Sequence, residues 1–130
     1  MQPAARLVPL VAALHGAAGV AVAASAAHIE HSDNLATASQ FLMIHAAAGL
    51  GLAALAQTRP GARGPIVVGL AMQAGVTLFA GDLCARGFGY GRLFPMAAPI
   101  GGSLTLLAWL ALAGVFAAAF FTRPPPPQSR

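Results

Sequence analysis

"LVPLVAALHGAAGVAVAASAA", Leu7 to Ala27, runs for 21 residues without a formal charge. At about 1.5 Å per residue, a run of that length crosses a hydrocarbon core of roughly 30 Å as a helix. Part of the stretch is repeated. "LHGAAGVAVAA" at Leu14 to Ala24 returns thirty residues later as "IHAAAGLGLAA" at Ile44 to Ala54, with His15, Ala17, Ala18, Gly19, Ala23 and Ala24 matched by identical residues. The second copy sits inside Leu35 to Ala56, another 22 residues without charge. A third apolar run goes from Pro65 through Gly81 before meeting Asp82, and a fourth goes from Ile100 to Phe121 after "APIGG". None alternates in polarity, and a barrel needs many more short segments. The expectation is an all-α integral membrane four-helix bundle. Its helices fall at about 7–27, 35–56, 65–84 and 100–121, within one transmembrane domain over 1–122.

Composition supports this. Of the 130 residues 58% are hydrophobic and only 8% charged, and mean hydropathy is +0.74, whereas an ordinary soluble domain is about one-quarter charged. The net charge of +4 comes from scattered arginines without any lysine, so no basic patch for nucleic acid is present. Arg6, Arg59, Arg63, Arg123 and Arg130 fall on one side of the spans and Arg86 and Arg92 on the other. By the positive-inside rule both termini are cytoplasmic. A cleaved secretory signal is the competing reading of the first run, but its length exceeds the 7–15 apolar residues usual for a signal. The tail 123–130, "RPPPPQSR", cannot continue a helix and reads as a disordered end. One cysteine, Cys84, excludes an intramolecular disulfide.

His15 and His45 both fall near the bilayer centre, on consecutive spans that run in opposite directions. One reading is structural: each imidazole bonds a backbone carbonyl, a hydroxyl or the other histidine and joins the first two helices. A second is a proton or ion relay, and a third is bis-histidine haem ligation between small residues. The third span carries Gly69, Gln73, Thr77 and Gly81 at spacing four, and Gln73 and Thr77 are natural histidine partners. Trp109, near mid-membrane, requires an acceptor within the bundle. His15, His45, Gln73, Thr77 and Trp109 thus make up a candidate intramembrane polar site. Gly16, Gly19, Gly49, Gly101 and Gly102 are candidate positions of close helix approach.

Asp82 and Arg86, four apart in acid-then-base order, form a structural ion pair at the outer end of the third span. Outside, His28, Glu30, His31 and Asp33 have ligand chemistry but no diagnostic spacing, and a solvated turn with Ser32 or Asp33 capping the second helix is the favoured reading. "RGFGYGRLF" follows a membrane helix, not a strand, so it is no phosphate loop. Its Phe88, Tyr90 and Phe94 read as an interfacial belt. No nucleophile stands with a base and no carboxylates are paired, so neither an enzyme nor a catalytic residue, metal or cofactor is expected.

"APIGGSLTLLAWLAL", "FAGDL", "FLMIHA" and "AASAAH" are similar to motifs of domain-of-unknown-function family 423, whose members are small inner-membrane proteins. The resemblance covers roughly Leu7 to Ala119. It departs from the family pattern at Leu42 and Ile44, where the motif has Gln and Tyr, at Asp82 in place of Ser, at Cys84 in place of Tyr, and at Ala23 and Ala26 in place of glycines. It implies a four-helix inner-membrane protein and supplies no catalytic residue. The leading functional expectation is an accessory, assembly or membrane-organising protein that acts by helix packing, with membrane lipid and a membrane-protein partner or further copies of itself as its contacts. A minimal oligomeric carrier or channel for protons or a small solute, lined by His15, His45, Gln73 and Thr77, is the alternative. Haem-dependent electron transfer is a third.

Overall fold

The computed structural model describes residues 3–28, 32–58, 61 and 63–121. They form four helices: α1 (Pro3–His28), α2 (Asp33–Thr58), α3 (Gly64–Gly87) and α4 (Ala97–Phe121). Among the described residues there is no strand. Each helix is long and apolar enough to cross a membrane, so this is a multi-pass membrane protein with an all-α bundle. The helices run one to four residues beyond most of the limits set by the uncharged runs, and α4 begins at Ala97 where Ile100 was expected. Backbone hydrogen bonding continues past the apolar core, because a helix satisfies its own polar groups more readily than an exposed turn does.

Local chemistry sets the ends. Ser32 precedes α2 and accepts from the Leu35 N–H through its hydroxyl at 3.4 Å and its carbonyl at 3.1 Å, with Asp33 adding an acidic first turn. Pro65 opens α3 at a position where its missing N–H costs nothing. At the other end of α3, Tyr90 N–H reaches back to the Ala85 carbonyl at 2.8 Å and Gly89 N–H to Arg86 at 3.1 Å. This is a Schellman closure, and it needs the left-handed backbone that Gly89 adopts at φ 87°. The glycine punctuation after the third span therefore ends a helix.

Packing partners give the topology. Gly19 faces Met43, Gly16 faces Ala46 and Ala12 faces Gly49, so α1 and α2 are antiparallel and His15 and His45 lie at the same level. Val8 meets Gly69 and Leu35 meets Gly87, which sets α3 parallel to α1 and antiparallel to α2. α3 touches all three other helices, whereas α4 packs its backbone against α3 alone. Two apolar clusters hold the interior: Ala38, Leu42, Val76, Ala80 and Leu83 on one side of Gln73, and Leu52, Met72 and Ala108 on the other.

The closest approach is between α3 and α4. A Cβ added to Gly101 would lie 2.5 Å from the Phe79 nitrogen and 2.7 Å from the Gly75 carbonyl oxygen. One added to Gly75 would lie 2.5 Å from Thr105 Oγ1 and 2.8 Å from the Gly101 oxygen. The two backbones are in direct contact, as small residues allow in a membrane. Gly16 and Gly102 are less constrained, with nearest neighbours at 3.6 and 3.5 Å.

Candidate functional site

A polar layer crosses the bundle at the level of the two histidines, and Gln73 of α3 is its hub. The side-chain N–H of Gln73 donates to the His45 backbone carbonyl at 2.8 Å. A carbonyl only accepts, so the amide orientation is fixed and Gln73 Oε1 is the acceptor for His15 Nδ1 at 2.5 Å. His15 therefore carries its ring hydrogen on Nδ1. Gly49 makes room for this arrangement: a Cβ there would run into the Gln73 amide and come within 2.9 Å of Ala12. The two histidines are thus joined through Gln73, and the layer ties α1, α2 and α3 together.

His45 is fixed by the same reasoning. Its Nδ1 donates to the Phe41 carbonyl at 2.7 Å, one turn back on α2. That leaves Nε2 bare, and it accepts the Trp109 indole N–H at 3.2 Å. The ring stacks on Phe41 at 5.2 Å and meets Trp109 edge-on at 6.1 Å. Trp109 of α4 finds its acceptor across the bundle on α2, and this bond connects the fourth helix to the layer.

His15 differs. Its Nε2 lies 2.9 Å from Thr77 Oγ1, and that same hydroxyl lies 2.7 Å from the Gln73 backbone carbonyl. One hydroxyl hydrogen cannot serve both. With a neutral ring, Thr77 donates to Nε2. With a protonated ring, Nε2–H donates to Thr77, whose hydrogen turns to the Gln73 carbonyl. Both states leave every group bonded. His45 has no such freedom, because a hydrogen on its Nε2 would oppose the indole N–H.

Axial haem ligation needs an available ring nitrogen on each histidine. The His15 and His45 Nε2 atoms are engaged by Thr77 and Trp109, and both Nδ1 atoms are donors, so this donor set does not fit a haem. Among the described residues no group of three His, Cys, Asp or Glu side chains could hold a metal. Glu30 and His31, between α1 and α2 in the sequence, lie outside the described residues.

At the end of α3, Asp82 is buried and pairs with Arg86 at 2.9 Å. Its second oxygen accepts the Leu93 N–H at 2.9 Å, a link from α3 to the connecting segment that spacing alone does not reveal. Asp82 thus anchors both its own helix end and the chain leading into α4. Gly75 is the other residue missed by sequence reasoning. It lies midway between Gln73 and Thr77, whose polarity drew attention to a different face of the helix.

With this geometry in view, residues 12–102 match the family described as "Protein of unknown function (DUF423)". The chain belongs to the DUF423 family. The match takes in His15, His45, Gln73, Thr77, Asp82 and Arg86 and ends before Trp109. It carries no activity with it. No solved structure matches the chain.

Proposed function

We propose that this DUF423 protein is a non-catalytic accessory or assembly component of an inner membrane, with both termini on the arginine-rich cytoplasmic side, and that it acts through helix packing against a membrane-protein partner. The observation that carries this reading is the placement of α4. It is the most apolar of the four spans and packs its backbone on α3 alone, leaving Leu106, Leu107 and Leu110 exposed. The polar groups at depth are meanwhile bonded within the chain, so recognition from the membrane side falls to shape and apolar contact. A photo-crosslinking residue at Leu107 in native membranes should give one discrete protein adduct. The same residue at Leu14 of α1, equally exposed at 60%, should label lipid. Lipid labelling alone at both positions would end this reading.

A second reading, a proton carrier through the same layer, is favoured by the reversible Thr77 hydroxyl alone. The charged side chains among the described residues lie toward the ends of the spans, and His45, Gln73 and Thr77 are the groups that face His15. The expected result is that, in nitrogen-15 spectra recorded as pH is lowered, His15 takes up a second ring proton, on the Nε2 that faces Thr77. In liposomes, pH-dependent flux should vanish with His15→Ala. Equal flux from wild type and variant would sink it.

A further inference from the structure

We infer that the cleft between the end of α3 and the start of α4 binds the phosphodiester headgroup and upper acyl chain of an anionic phospholipid. The cleft has a volume of about 520 Å³, within the roughly 300–1,000 Å³ typical of small-ligand sites. Arg86, Arg92 and Asp82 line its polar part, and Phe79, Phe94 and Leu106 line its apolar part.

The charge arrangement favours an anion. Asp82 places one oxygen on the Arg86 Nη2 and the other on the Leu93 N–H, so both oxygens are already engaged. Two arginines against one carboxylate leave one positive charge in the cleft. The Arg86 Nε is buried and has no hydrogen-bond partner, a donor that calls for an acceptor. Ala97 and Ala98, the first residues of α4, form part of the same wall and bring the positive end of that helix to it.

Depth favours a lipid over a free anion. The arginines lie where α3 ends, at the level expected of headgroups. Leu106 lies nine residues into α4, roughly 14 Å further along its axis, so the cleft continues from charged to apolar in the direction that an acyl chain takes. Phosphate alone would fill only its upper part.

The test is native mass spectrometry of the full chain from detergent micelles containing equal amounts of phosphatidylglycerol and diacylglycerol. Wild type should retain one phosphatidylglycerol. Arg92→Gln, a change at an exposed side chain that takes no part in the Asp82–Arg86 ion pair, should lower that retention roughly tenfold. Leu106→Trp, which narrows the apolar end, should lower it as well. Equal retention by wild type and Arg92→Gln, or no preference over diacylglycerol, would overturn the proposal. So would calorimetric binding of inorganic phosphate that depends on Arg92 together with lipid retention indifferent to Leu106→Trp, since the site would then be one for a soluble anion.

Discussion

Replacing Gly101 with alanine is expected to drive α4 off α3 and to destabilise the bundle strongly. The atoms that the new Cβ meets are the Phe79 nitrogen and the Gly75 carbonyl oxygen, both backbone. No rotamer change moves them, so the helices themselves must separate, and Thr105, packed on Gly75, must follow. Overpacking of an interior typically costs about 1–3 kcal/mol, and a backbone collision belongs at or above the top of that range. Gly102→Ala is the control, because its nearest neighbours are carbons of the Phe79 ring at 3.5 and 3.7 Å. Its effect should stay within about 0.5 kcal/mol. Unfolding of both variants in mixed micelles of increasing SDS content checks the pair. Equal midpoints would show that α3 and α4 do not cross at these glycines.

Gln73→Leu is expected to have the next largest effect. The substitution keeps volume and apolar packing but removes the acceptor for His15 Nδ1–H and the donor to the His45 carbonyl. Interhelical hydrogen bonds in membrane proteins average about 0.6 kcal/mol and reach about 1.7, while a buried donor left without a partner costs about 1–3. A loss of roughly 2 kcal/mol follows. His15 would turn to Thr77 alone, so the double variant Gln73→Leu with His15→Ala should be less damaged than the sum of its parts, by about 1 kcal/mol in a mutant cycle. Strict additivity would mean that the two side chains do not share a bond. Gly49→Ala should give a similar loss by a different route, through displacement of the Gln73 amide.

The four spans were legible because an uncharged run of some twenty residues has few outcomes other than a helix across a membrane. His15, His45, Gln73, Thr77 and Trp109 stood out for a related reason: a polar group in hydrocarbon needs a partner, and few were present at that depth. Gln73 and Thr77 were legible as histidine partners, but not that both would take the ring of His15 while His45 bonds Phe41 and Trp109. Whether the two imidazoles bond each other or bond a third group depends on helix rotation, which an all-round apolar surface does not encode. Gly75 shows the same limit. It marks the tightest helix crossing together with Gly101, yet one small residue among many carries no sign of which neighbour it admits. The Asp82 bond to the Leu93 backbone was hidden because a backbone donor has no letter in the sequence.

The repeated hairpin has a consequence for biosynthesis. α1 and α2 leave the ribosome first, and at that stage His15 has neither of its two observed ring partners, since Gln73 and Thr77 lie on a helix not yet made. The nascent hairpin therefore enters the bilayer without either of those two bonds, which form only when α3 arrives. Arrival of α3 supplies both His15 partners, and α4, which packs its backbone only on α3, completes the layer when the Trp109 indole reaches His45. Order of synthesis and order of assembly coincide.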